Sequence, residues 1–272
     1  MRIRHITGLI KNRKNADYTS ELIVKNLESL AFIDDDALQK RLLKDVIRNY
    51  VLLEKRVDGL LKNTLPPVVA DEIIYEGAFL PRAYACTILF SDFAGFTRLA
   101  EDCAPLALVG LLNAIFSEFD ELVERNKGTK VKTIGDSYMA VFGAPEACEE
   151  HAVMAICSAM AMLKFINRFN RDEEQRFNMR IGIHTGNVMA GVVGRDRMQF
   201  DVFGDDVNIA ARFESSGVIN RINVSGVTYK AAELHFDFEG RGLITLKNKD
   251  PMPAYLVAGA KTKRQTDIAE QL

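Results

Sequence analysis

Cysteine is scarce in this chain: four in 272 residues (Cys86, Cys103, Cys148 and Cys157), with no CxxC pair. That excludes a disulfide scaffold or a zinc knuckle and fits free thiols in a reducing compartment. An excess of one charge is also missing. Lysine and arginine total 35 against 37 aspartates and glutamates, a net charge of −2, so no long-range field favours nucleic acid as a partner. No apolar run approaches the about 18 residues that would cross a membrane. The first residues, Met1-Arg2-Ile3-Arg4-His5, contain no apolar core of a signal peptide. The expectation is a cytoplasmic protein with no direct membrane insertion; the cluster Lys11, Arg13 and Lys14 reads as a solvated basic face. Internal repeats, low-complexity tracts and the GxxxxGK[ST] phosphate loop are all absent.

What is present is a chain with 48% apolar residues, long enough for one substantial core plus an appendage. Residues 1–80 read as a helical N-terminal region and linker. Within them Leu43, Val46, Tyr50, Leu53, Val57 and Leu60 recur at alternating three- and four-residue steps, a coiled-coil seam over about 43–64. Three heptads are short enough for a single amphipathic helix lying on its own domain. Such a seam needs a partner, however, and no second helix of matching pattern follows, so a parallel dimeric coil is expected. Pro66-Pro67 stops that helix or starts the next one at 68–74. Residues 81–260 alternate strands and helices: a strand at 86–90, a helix at 107–125 and a hairpin of 130–134 with 138–142 through Gly135-Asp136. A helix follows at 151–169, then a strand pair, 177–183 and 188–193, around Thr185-Gly186-Asn187. This β-α-β-β-α-β order predicts an α+β fold with a ferredoxin-like core. A helix at 207–213 and short strands are added after it. Residues 261–272 read as a flexible tail.

Two carboxylates stand out. Asp92, in Phe90-Ser91-Asp92-Phe93-Ala94-Gly95-Phe96-Thr97, and Asp136, in Lys132-Thr133-Ile134-Gly135-Asp136-Ser137-Tyr138, each end an apolar run that reads as a buried strand. An unpaired negative charge is costly there. Brought to one sheet edge, the pair supplies the oxygen ligands that two hard divalent cations require. A two-cation site of that kind clamps the attacking and leaving oxygens of a phosphoryl displacement.

Two further blocks complete a pattern: Arg180-Ile181-Gly182-Ile183-His184-Thr185-Gly186, and the run from Phe200 through Asp201, Asn208 and Ala211 to Arg212. With these four blocks in order, the chain from about Leu60 to Val257 resembles the catalytic domain of class III nucleotidyl cyclases, the adenylate and guanylate cyclases. The resemblance implies that Asp92 and Asp136, with the Phe93 carbonyl, hold two Mg²⁺ or Mn²⁺ ions. It implies that Asn208 positions the ribose and Arg212 stabilises charge on the α-phosphate. These two lie four apart, so a helix sets them on one face. Taken singly they read as a capping asparagine and a surface arginine. It further implies a triphosphate-binding lysine, Lys249 with Lys247 as the alternative, although Asn248 replaces the usual intervening glycine. The metal aspartates and the Asn/Arg pair come from opposite subunits in this family, so a homodimer with two identical sites is implied.

Base choice follows from chemistry. Adenine presents an acceptor at N1 and a donor at its 6-amino group, and Lys132 and Asp201 supply the complementary donor and acceptor. These two stand at the positions that resemble the family's purine-selecting residues, where guanylate cyclases usually show Glu and Cys. ATP is therefore the expected substrate. A guanylate or dual-specificity cyclase and a catalytically silent nucleotide-sensing dimerisation module are the alternatives. An RNA-binding use of the sheet would require paired aromatics on central strands and a basic face, and neither is evident. His184 reads as a packed strand histidine, and Asp206 stands where a small or hydroxyl residue is common in the family.

Overall fold

The computed structural model describes residues 35–96, 100–101, 103–172, 176–195, 197–246 and 249–261, with positions 25, 28 and 30 before them. Contacts divide the chain into two units between Phe79 and Leu80. The first unit holds α1 (Asp36–Lys62) and α2 (Pro67–Glu76). Asp35 caps α1, its carboxylate accepting from the Ala37 and Leu38 amides. Pro67 opens α2 at its first turn, where a missing N–H costs nothing. Lys62 ties the two helices by pairing with Asp58 and Asp71. No residue of α1 is buried, and the seam positions Leu53, Val57 and Leu60 are 40%, 53% and 62% exposed. Among the described residues the later half of the stripe is thus uncovered, while Leu43, Val46 and Tyr50 are half-buried. The readings made for Lys11, Arg13 and Lys14, for Lys247 and for residues 262–272 lie outside the described residues.

The second unit is a sheet of eight strands with helices on its faces. In chain order these are β1 (Arg82–Phe93), α3 (Pro105–Arg125), β2 (Gly128–Ile134), β3 (Ser137–Phe142), α4 (His151–Asp172) and β4 (Met179–Val193). Then come β5 (Gln199–Phe203), α5 (Asp205–Ser215), β6 (Ile222–Ser225), α6 (Gly226–Ala232), β7 (Phe236–Ile244) and β8 (Met252–Ala260). The strand order is β2-β3-β1-β4-β6-β8-β7, with β5 paired to β4. Its first four strands reproduce the ferredoxin-like order, β3 lying between the strands of a split βαβ unit. Residues 86–91 of β1 are buried without alternation, because α4 and α5 both pack against this strand. The main core joins Leu89 of β1, Phe119 of α3, Tyr138 and Phe142 of β3, Ile156 and Met162 of α4 and Ile183 of β4.

Two expectations are corrected. The strand pair 177–183 and 188–193 is one strand of 15 residues. Thr185, Gly186 and Asn187 stay in antiparallel register with Thr87, Cys86 and Ala85 of β1, so the ladder runs straight through the supposed turn. Secondly, one stretch, His151–Arg171, is long and apolar enough by length and composition to cross a membrane. More than half of its apolar window is buried within the domain, and its side chains Ile156, Ala159 and Met162 belong to the main core. That is the composition of a helix covered on its apolar face by a sheet.

Candidate active site

Asp92 and Asp136 meet at one edge of the sheet. The β1–β3 register pairs Ser91 with Tyr138, so the end of β1 lies beside the tight turn of the β2–β3 hairpin. Gly135 makes that turn with φ of 63°, a conformation glycine adopts without a Cβ penalty. Ser137 donates its hydroxyl to Asp92 Oδ1 at 2.6 Å. The Phe93 amide donates to the Asp136 carboxylate. Burial, and then the neighbouring Asp92 charge, raise the Asp136 carboxyl above its ordinary value. Two carboxylates crowded in this way are relieved by cations. Among the described residues no group of three or more His, Cys, Asp or Glu side chains gathers to hold a metal. Two carboxylates held this close suit ions that keep water and substrate phosphates in their shell.

Sequence reasoning gave no role to Arg180, which faces Asp92 in the β1–β4 register. Its Nη2 donates to Asp92 Oδ2 at 2.7 Å and its Nε to Glu214 Oε1 at 3.0 Å. The bridge thus links the carboxylate edge to α5. Burial first, and the Asp92 charge next, push the Glu214 carboxyl up to about 7. The signal for Arg180 was a charge opening an apolar strand, which demands a partner.

α5 lies on β4 at unusually short range. A Cβ built on Gly182 would come 1.9 Å from the Glu214 amide nitrogen, and one on Gly186 would come 2.3 Å from the Asp206 carboxyl carbon. Gly182 lets the helix backbone approach the sheet, and Gly186, four residues on, makes room for the Asp206 side chain. Ile209, Ala210 and Phe213 are buried, which leaves Asn208 and Arg212 on another face. Asn208 is exposed and Arg212 half-buried. Among the described residues the buried Arg212 Nη1 has no hydrogen-bond partner. A buried donor of that kind costs free energy until an acceptor arrives.

Lys132 of β2 and Asp201 of β5 come together across the sheet edge, Nζ to Oδ2 at 2.6 Å. Their side chains are 29% and 14% exposed, so a face of each remains accessible. Lys249 pairs with Asp205 at the first turn of α5. The structure therefore brings Asp92 together with Asp136, Lys132 with Asp201, and Lys249 with the helix that carries Asn208 and Arg212. His184 is a packed strand histidine at 2% exposure. Asp206, beside it, accepts from the Asn187 amide at 2.7 Å.

A ferredoxin-like sheet with paired carboxylates at a hairpin edge, and a helix bearing an unsatisfied arginine on the next strand, defines a phosphoryl-chemistry domain of the nucleotidyl cyclase type. The chain belongs to the adenylate and guanylate cyclase catalytic domain family, whose model matches residues 80–259. It is 38% identical over 236 residues to the receptor-type guanylate cyclase gcy-28 of Caenorhabditis elegans, covering 85% of this chain and 18% of the relative. It is 34% identical over 206 residues to adenylate cyclase type 9 of Gallus gallus, covering 73% of this chain and 15% of that one. The chain thus spans less than a fifth of the length of either. The crystal structure of the guanylate cyclase domain of RhGC from Catenaria anguillulae, in complex with GTP, matches with a TM-score of 0.64 at 33% identity. That match covers 66% of this chain and all of the other. Cyclases of this class use divalent metals.

Proposed function

We propose that this domain is an adenylate cyclase, converting ATP to 3′,5′-cyclic AMP and pyrophosphate at sites shared between two copies of the chain. The observation that carries the choice of base is the Lys132–Asp201 pair, held at 2.6 Å. Its ammonium faces adenine N1 and its carboxylate the 6-amino group, the reverse of what the guanine edge requires. Relatives of both kinds match the chain, so the reading rests on these two side chains. A half-buried ion pair with no ligand to read is a poor source of stability by itself.

Asp92, Asp136 and the Phe93 carbonyl are the groups that would hold two Mg²⁺ or Mn²⁺ ions. Bound there, the ions supply an acidified ribose 3′-hydroxyl and a neutralised triphosphate. Arg180 and Ser137 orient Asp92 from the side. Asn208 holds the ribose, and Arg212 donates its unsatisfied Nη1 to the α-phosphate as charge builds. Lys249 exchanges Asp205 for triphosphate oxygens. The 3′-oxygen bonds to the α-phosphorus, the α–β bridging bond breaks, and pyrophosphate leaves with its electron pair while the hydroxyl proton passes to solvent. The exposed apolar stripe of α1 supports a homodimer paired along that helix.

Purified protein, given ATP and GTP in separate reactions with Mg²⁺ or Mn²⁺, tests the reading. Cyclic AMP from ATP is expected. Cyclic GMP as the main product would overturn the reading of Lys132 and Asp201. Absence of either product in a folded dimer would overturn the enzymatic reading altogether.

A further inference from the structure

The first turn of α5 has no side-chain cap, since Gly204 occupies that position. At its other end the helix is held twice over. Arg180 binds Glu214, and the Asn223 amide donates to the Phe213 carbonyl at 2.7 Å. At the first turn, Asp205 makes an exposed pair with Lys249, and such pairs hold weakly. The tether there that reaches a buried group is Asp206, itself half-buried. Its Oδ2 accepts from the Asn187 amide and its Oδ1 from His184 Nε2 at 3.0 Å.

His184 is itself fixed by a chain of hydroxyls, all buried but the half-buried Thr185. His184 Nδ1 meets Ser225 Oγ at 2.8 Å, and Ser225 Oγ meets Thr228 Oγ1 at 3.1 Å. Thr228 reaches Thr185 at 3.0 Å, Thr185 reaches Thr87 at 2.8 Å, and Thr87 reaches His151 Nδ1 at 2.8 Å. Each hydroxyl has one proton to give, so the direction is determined from the carboxylate end. Asp206 only accepts, which puts the His184 proton on Nε2. Ser225 then donates to Nδ1, Thr228 to Ser225, Thr185 to Thr228, Thr87 to Thr185 and His151 to Thr87. Every member is satisfied with one orientation, and burial favours the neutral imidazole by lowering the His184 pKa. The cluster is closely built: Thr87, Ser225 and Thr228 are fully buried, and the His184 ring stacks on Phe213 of α5 at 8°.

We infer that Asp206 and His184 are positioning residues of this cyclase, setting the pose of Asn208 and Arg212 through the first turn of α5. This rests on the roles proposed above for those two side chains. Asp206 sits two residues before Asn208, so losing its tether frees the turn that carries the ribose contact. The core side of the helix stays packed through Ile209, Ala210 and Phe213. The expected consequence is misalignment without unfolding, which lowers turnover more than nucleotide affinity.

The test uses the full chain and Asp206→Asn, which keeps the size but cannot accept both bonds as a carboxylate does. Gly186→Ala is the second variant, for its Cβ displaces the Asp206 carboxyl while leaving the residue in place. In ¹⁵N NMR the parent should show His184 as the neutral Nε2–H tautomer. In both folded variants the Arg212 Nε–H signal should move while Met162 and Ile156 methyl signals stay fixed. Turnover should fall about tenfold or more, with affinity for a non-cyclisable ATP analogue within about threefold. An unmoved Arg212 signal together with parental turnover in a folded variant would overturn the inference. A parent that makes no cyclic nucleotide would instead refute the proposed function, and the Arg212 signal would then decide the positioning claim alone.

Discussion

Replacing Gly182 with alanine puts the seating of α5 to a direct test. The new Cβ would lie 1.9 Å from the Glu214 amide nitrogen and 2.5 Å from both the Glu214 Cα and the Phe213 carbonyl carbon. All three are backbone atoms, so no side chain can rotate away. Ordinary contact begins near 3.4 Å, and α5 must therefore retreat by about 1.5 Å in an interior that is close-packed. Gly182 sits in a regular strand, so alanine meets no local backbone objection and the effect isolates the approach of the helix. Overpacking of this kind costs about 1–3 kcal/mol. In a domain of this size that lowers the midpoint of thermal unfolding by about 2–4 °C per kcal/mol. The displacement moves Asn208 and Arg212 with the helix, and a misplacement near 1 Å costs catalysis roughly 100-fold. Calorimetry and a cyclic-nucleotide assay on the same preparation measure both quantities. A Gly182→Ala protein with parental stability and turnover would refute the reasoning, because the helix could not then lie where it is described.

Other outcomes follow from the same geometry. Asp92→Ala removes a proposed ligand oxygen and one of the two carboxylate partners of Arg180; product formation should drop by at least about 1,000-fold, and added Mn²⁺ should not restore it. The double change Lys132→Glu with Asp201→Cys should shift the ratio of kcat/KM from ATP toward GTP by about 100-fold or more, since a site built on hydrogen bonds rejects the wrong edge strongly. Retained ATP preference would contradict the base assignment. For Glu214 the folded pKa, about 7, lies above the ordinary value of 4.5. The folded state therefore binds more protons between those values, and this group's contribution to stability declines as pH rises from about 4.5 to about 7. Melting curves of Glu214→Gln across that range should show a flatter pH dependence than the parent in metal-free buffer.

Much of the fold was legible because it is carried by local pattern. The stripe through Ile115, Phe119 and Leu122 marks α3, and these side chains are buried in the core. Gly135-Asp136 signalled the β2–β3 turn through turn chemistry alone. The continuous β4 was missed for an equally physical reason. Gly186 and Asn187 read as turn residues, but here glycine serves the close approach of Asp206, and the register is imposed by β1 from 100 positions earlier in the pairing of Cys86 with Gly186. Arg180 escaped notice because its partners, Asp92 and Glu214, are 88 and 34 residues away. The same holds for Asp206, whose tether to His184 crosses 22 residues. Residue type announces the carboxylates and the arginine; only the sheet says which of them meet. For α1, periodicity described the helix and its stripe, but what covers that stripe is not a local property of the sequence.

The most direct measurement is complementation between two inactive variants, Asp92→Ala and Arg212→Ala. Each alone should lack activity, because each homodimer loses both copies of one essential group. Mixed in equal amounts after dissociation, they should regain about a quarter of parental turnover, since half of the dimers are mixed and each mixed dimer keeps one intact site. That result requires carboxylates from one chain to work with the arginine of the other. No recovery on mixing, with hetero-dimers shown to form, would contradict a shared site and with it the account of how this domain works.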